Sequence, residues 1–236
     1  MAQNLYIDGT EMSAGDHAWP NQLVRQFELY INEAEPFKST ERILQSFFGF
    51  IRGLGQPDEA ETEAEIHRCV FVIEFPNPYN QTFWIPEYGT HVNVCGETGE
   101  RWIADRELRE NPTEHFLDLV KKQEAKFKAW QDLRGPAEVY NEQAKAINTF
   151  ILFCRTFQCA ARIVLRDEKH MPDGDALRSV FHPYMLTKTH WYLPRPNEVL
   201  EPRLLNNNNM PTKQGHKNYG SIVGKQLTRE NIVARK

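Results

Sequence analysis

The apolar positions of this chain change their period several times, and each change marks a segment. Residues 1–17 show no period and predict an extended N-terminal arm. In "PNQLVRQFELYINEA", Leu23, Phe27, Tyr30 and Ile31 share one helical face, with Pro20 near the start. "STERILQSFFGFIRGLG" offers Ser39 or Thr40 as an N-cap, then Ile43, Leu44, Phe47, Phe48 and Ile51, and stops at Gly53 and Gly55. The acidic "DEAETEAEIHR" reads as a short solvated helix beginning near Asp58.

The texture then turns β-branched and aromatic. "CVFVIEF" and "QTFWIPEY" are punctuated by Pro76, Pro78 and Pro86, and "HVNVCGETGERWIA" has the form of a hairpin turning at "GETG". These segments predict a small antiparallel sheet over residues 68–104. A helical period returns from Thr113, breaks at Gly135-Pro136, and predicts one long helix from Ala137 to Lys169 before the turn "MPDGD". After Trp191, four prolines, an asparagine run and sparse apolar residues predict an extended arm. The expected fold class is therefore α+β: a mainly helical core with a small antiparallel sheet and extended N- and C-terminal arms. Its expected units are an arm over 1–17, a core over 18–195 and a basic arm over 196–236.

Composition narrows this picture modestly. With 236 residues, 25% charged and 40% hydrophobic, the chain is long enough for a buried core and ordinary for a globular protein. It contains no apolar run of about 18 residues that would span a membrane. Its N-terminus lacks a basic region followed by an apolar core, so no secretory signal is read. A cytoplasmic, nuclear or virion location is expected. Cys69, Cys95, Cys154 and Cys159 have no metal-ligand spacing and read as reduced, buried thiols. On one continuous helix Cys154 and Cys159 would point about 140° apart.

Charge adds an asymmetry. Residues 1–110 hold 8 Lys/Arg and 19 Asp/Glu, a balance of -11, while residues 111–236 hold 20 and 13, a balance of +7. Residues 201–236 alone carry 7 Lys/Arg against 2 Asp/Glu, as in tails that bind nucleic acid or an acidic partner.

The sequence holds no G-x-S-x-G, phosphate loop, G-x-G-x-x-G or H-E-x-x-H motif. His170, His182 and His190 are separated by a predicted turn and a proline, which does not suit a shared metal. No enzyme, cofactor or metal is expected on these grounds. Attention falls instead on "FILFCRTFQCAARIVLRDEKH" at 150–170. Drawn as a helix, Arg155, Arg162, Arg166 and Lys169 fall within about 60° of one another, with Asn148 on the same stripe. Such a stripe could line a phosphate-binding groove, or it could be the solvated side of an amphipathic helix. Lys213, Lys217 and Lys225 would add tail cations, and Trp191 and Tyr192 either stack on bases or cap the core.

Within that stretch "FCRTF", Phe153 to Phe157, resembles a segment in coat proteins of flexible filamentous plant viruses. The resemblance implies an N-terminal arm, a helical core and an extended C-terminal arm around an RNA groove. It assigns Arg155 to that groove, with Asp173 or Asp175 as its supporting ion pair. The strand-rich segment at 68–104 departs from the family pattern, as does the missing aromatic-rich segment ending in Asp. The expected function is sequence-independent binding of single-stranded nucleic acid, RNA before DNA, by a protein that assembles with copies of itself into a filament. The alternative is a scaffold subunit docking through its acidic N-terminal half and basic tail.

Overall fold

A computed structural model of the chain describes residues 4–55, 59–165, 193–207 and 210–229. The core is organised by a four-stranded parallel sheet in the order β2-β1-β3-β7. Its strands are β1 (Asn4–Asp8), β2 (Leu29–Asn32), β3 (Cys69–Phe75) and β7 (Ala160–Leu165). All seven residues of β3 are buried, because it lies inside the sheet and both of its faces are covered. A strand in that position has no polar face, so its sequence is a continuous apolar run with one acid in it, "CVFVIEF".

Two helices cover one face. They are α1 (Thr40–Leu54) and α5 (Pro136–Thr156), whose Ile43, Phe47, Ile51, Ile147, Phe150, Ile151 and Cys154 pack on Tyr6, Phe71, Ile73 and Phe75. The other face, built from Leu5, Ile7, Val70, Val72 and Val164, receives Trp19, Leu23 and the C-terminal helix α6 (Lys213–Arg229). Tyr219, Val223 and Leu227 of α6 are fully buried there. Helices on both faces of a parallel sheet make this layering α/β in its core.

Between β3 and α5 the chain builds a second unit. Strands β4 (Gln81–Ile85), β5 (Thr90–Val94) and β6 (Arg101–Ile103) form an antiparallel sheet. Short α3 (Arg106–Glu110) and long α4 (Glu114–Arg134) follow, and Phe116 and Val120 of α4 join Ile85, Val92, Val94 and Ile103 in a separate small core. A further helix, α2 (Ala60–His67), leads into β3.

The α+β class stands in general terms, but the antiparallel sheet expected over 68–104 covers only Gln81–Ile103, while Cys69–Phe75 pairs in parallel with β1 and β7, and further elements differ. The supposed arm at the N-terminus contains β1, an interior strand. The segment from Pro20 forms two short 3-10 turns and then β2, not a helix. The long helix expected to reach Lys169 ends at Thr156, turns through Gln158 with φ at 50°, and becomes β7. The residues "AARIVL" are a buried parallel strand because β3 offers them a partner edge, from Val70↔Ala160 to Phe75↔Leu165. The supposed C-terminal arm contains a packed helix, because its glycines and small residues let α6 approach closely. A Cβ on Gly220 would lie 2.7 Å from the Trp19 carbonyl oxygen.

Candidate functional site

In an open parallel sheet, ligands bind outside the carboxyl ends of the strands, where successive connections leave in opposite directions. Here that place lies between β1 and β3, since the chain goes from β1 to β2 on one side and returns to β3 on the other. Three loops meet there: Gly9 to Ala18 after β1, Glu33 to Ser39 after β2, and Pro76 to Asn80 after β3.

Two fully buried carboxyls mark this edge. Asp8, the last residue of β1, pairs with Lys38 at 2.7 Å and also accepts from the Gly9 amide at 2.7 Å and the Tyr6 hydroxyl at 3.3 Å. Lys38 is buried as well and donates to the Glu33 carbonyl at 2.8 Å. Just before it, Phe37 sits in the left-handed region, φ 58°, a conformation that non-glycine residues adopt at a cost of roughly 1–2 kcal/mol. Burial pushes the Asp8 carboxyl up to about 7 even though Lys38 pulls it down.

Glu74 of β3 projects to the opposite face. Its carboxylate is wrapped by the loop after β1, accepting from the Ser13 amide at 2.8 Å and from the Thr10 and Met12 amides at 3.4 Å. This is an anion-binding nest filled by the protein's own acid. Only glycine fits at position 9, because a Cβ there would come within 2.5 Å of the Glu74 Cβ. Burial raises Glu74 to about 7, with the Ser13 and Thr10 donors opposing it.

The C-terminal helix supplies a histidine. His216 lies in the first turn of α6, which packs on the 3-10 turn Trp19–Gln22, with the Tyr219 and Trp19 rings 5.5 Å apart and nearly perpendicular. Its Nδ1 is buried and has no hydrogen-bond partner. Burial holds the His216 ring below its usual pKa, and the charge of nearby His17 adds to this. The Thr10 hydroxyl donates to the neighbouring Glu11 carboxylate. Among the described residues no Ser or Thr hydroxyl is bonded to a histidine ring. Nor does any group of three His, Cys, Asp or Glu side chains there suit a metal ion.

Of the residues singled out from sequence, those within the described residues do not gather here. Arg155 is exposed on the last turn of α5, and Asn148 is half-buried earlier on that helix. Arg162 belongs to β7, not to the helix; it is buried and donates to the Ala161 carbonyl. Lys213, Lys217 and Lys225 are exposed on α6, which covers the opposite face of the sheet from α5. The proposed stripe is therefore broken within its length. Arg166, Lys169, Asp173 and Asp175 lie outside the described residues, as do Trp191 and Tyr192. Sequence reasoning missed Asp8, Lys38, Glu74 and His216. One local signal existed, the acid inside the otherwise apolar "CVFVIEF".

No family model matches the chain, and no curated protein matches it. Solved structures do. The psychrotrophic esterase EstA of a Pseudoalteromonas species aligns over 97% of this chain and 98% of its own, with 9% identity and a TM-score of 0.50. A structure assigned to the lipolytic G-D-S-L family, from Desulfitobacterium hafniense, aligns over 95% and 99% with 12% identity and a TM-score of 0.48. An acetyl xylan esterase, Est2A of Butyrivibrio proteoclasticus, aligns over 97% of this chain and 64% of its own, with 10% identity and a TM-score of 0.47. The likeness is one of fold: only the first reaches one half. The tetrapeptide Gly-Asp-Ser-Leu does not occur in this chain.

This fold corrects the earlier expectations. A parallel sheet shared with an esterase is not the helical core of a filamentous coat protein, so the resemblance drawn from "FCRTF" fails. With it go RNA as partner, assembly of copies into a filament, and a virion location. The scaffold alternative gains no support, and the expectation of a non-enzyme gives way to a fold shared with an esterase. Among the described residues no helix is long and apolar enough to cross a membrane.

Proposed function

We propose that this chain hydrolyses small esters or related acyl compounds in the crevice outside the carboxyl ends of β1 and β3. The observation that carries the proposal is His216, whose buried, unbonded Nδ1 and lowered pKa leave it a neutral base beside this edge. The esterase fold, shared over nearly the whole chain, supports the choice of reaction. Thr10 is held by Glu11, so the attacking group in this reading is a water. His216 takes a proton from that water as its oxygen adds to the carbonyl carbon. Collapse breaks the bond to the alcohol oxygen, and the proton passes from His216 to the leaving alcohol, giving acid and alcohol.

The test is turnover of short p-nitrophenyl esters by the whole chain. His216→Ala should lower the rate by about 10²–10⁴-fold with an unchanged melting curve. A phosphonate ester should leave no covalent adduct on Thr10; an adduct there would replace water by the threonine hydroxyl as nucleophile.

One observation favours a second reading. The amides of the loop after β1, which could hold a developing oxyanion, are turned onto Glu74. A chain arranged this way binds a ligand at the same edge without transforming it. Turnover no faster than buffer across a panel of acyl chain lengths would favour this reading.

A further inference from the structure

Outside this crevice a cleft of about 290 Å³ lies between the first turns of α1 and strands β4 and β5. Ser39, Glu41, Arg42, Gln45, Thr82, Trp84 and His91 line it. Its volume is near the low end of small-molecule pockets, about 300 Å³.

Two of its side chains lack the partners their chemistry demands. Arg42 is half-buried, its Nε is shielded from water, and its guanidinium makes no hydrogen bond or ion pair with any described residue. A cation withdrawn from water normally has a carboxylate beside it. The other charges nearby are already engaged: Lys38 with Asp8, and His91 with Glu35 at 2.7 Å. Glu41 stays exposed at the rim, 3.5 Å from the Gln45 side-chain nitrogen. Trp84 is the second unpartnered group, with 57% of its surface exposed on a strand whose neighbouring residue Ile85 is buried. A large indole left open beside an unpaired guanidinium is a flat apolar platform next to an anion clamp.

We infer that this cleft binds a small molecule with an oxyanion at one end and a ring or hydrocarbon body at the other. Arg42 takes the oxyanion, a carboxylate or a phosphate, in two parallel N–H···O bonds, and Trp84 supports the body. The cleft adjoins the crevice through a short covalent path, because Lys38, which reaches Asp8, precedes Ser39, whose amide donates to Thr82 at 3.1 Å. On the hydrolase reading, and resting on it, the bound anion is the remote end of the ester substrate.

Binding is tested apart from turnover, by titration calorimetry on the full chain with benzoate, phenyl phosphate and neutral benzyl alcohol. Both or either anion should bind, and benzyl alcohol should not. Benzoate alone identifies a carboxylate, phenyl phosphate alone a phosphate. Arg42→Gln should weaken the anion by roughly tenfold to a hundredfold, and Arg42→Lys should recover part of the loss by charge alone. Glu41→Gln should tighten binding by removing a like charge. Trp84→Ala, at an exposed position that folding does not need, should weaken the ring-bearing anions and leave acetate unchanged. Equal affinity for benzyl alcohol, no anion binding, or anion binding indifferent to both Arg42→Gln and Trp84→Ala would overturn the inference. Arg42-dependent binding in a chain without turnover would keep this inference and remove the hydrolase reading. Turnover lost in His216→Ala with anion binding indifferent to Arg42 would do the reverse.

Discussion

Glu74 and Lys38 show how much depends on single buried charges at this edge. Glu74 is raised from about 4.5 in the unfolded chain to about 7 in the folded one. A raised acid binds more protons when folded, so its effect favours folding below the unfolded value and is lost as pH rises through 7. The chain should therefore lose roughly 3 kcal/mol from this group between pH 4.5 and 8. Asp8 acts in the same direction. Glu74→Gln keeps an acceptor for the Ser13 amide, and melts across this range should show a shallower fall than in the parent chain. An unchanged slope would mean that Glu74 is charged throughout. Lys38→Met should cost about 3–5 kcal/mol at pH 8, because it strands the Asp8 carboxylate without its cation. Adding Asp8→Asn should restore much of that loss, which a double-mutant cycle reads directly. Asp8 and Lys38 are separated by a whole connection, β2 included, and nothing local in the sequence pairs them.

At the scale of elements, α6 decides what the C-terminal segment is. It places Tyr219, Val223 and Leu227 over Leu5, Ile7, Val70 and Val72, so the segment completes one face of the core. Removing residues 213–236 should expose that face and abolish the cooperative melt. Leu227→Ala alone should cost about 2–5 kcal/mol. A truncated chain that melts like the whole would show that α6 does not pack. The 3.6 period is present, since Tyr219, Val223 and Leu227 are spaced 4 and 4 apart. The glycines of this segment lower its helical propensity, and packing against the sheet and the Trp19 region stabilises the helix. In α1 local signals sufficed: the Ser39 side chain accepts from the Arg42 amide and the helix runs to Leu54, before Gly55. The segment after Cys154 is the opposite case. "AARIVL" continues the helical period of α5, and its partner strand lies some ninety residues earlier in the chain.

For the whole molecule, the antiparallel unit is held over the parallel sheet by a small set of polar links. Glu35 bonds His91 at 2.7 Å and Asn93 at 3.2 Å, and Asn93 also donates to the Pro36 carbonyl at 3.0 Å. Burial acts to raise Glu35, but the bonds to His91 and Asn93 and the charges of His91 and Lys38 outweigh it, leaving its pKa below the ordinary value. A lowered acid stabilises the fold above its unfolded pKa and loses that effect as pH falls through the folded one. Glu35→Gln should therefore speed amide exchange in β4 and β5 near neutral pH while β1 and β3 keep their protection. Equal acceleration in both sheets would show that the two units open together.

The sequence by itself determined the features that neighbours along the chain can supply. These include the capped helix α1, the strand character of residues 69–75 and 81–103, the helical α4 and the first part of α5, and four buried cysteines without a bridge. They follow from local periodicity, capping groups and turn residues, whose effects reach only a few positions. Tertiary structure alone decided the parallel order β2-β1-β3-β7, because a strand buried on both faces has no alternation to reveal its neighbours. It decided that Arg162 lies on a strand while Arg155 lies on a helix. It also brought Asp8, Lys38 and Glu74 to one edge of the sheet and set His216 beside His17 of the loop after β1. Loops at the carboxyl ends of parallel strands meet only after the strands have paired, and so the site exists only in the folded molecule.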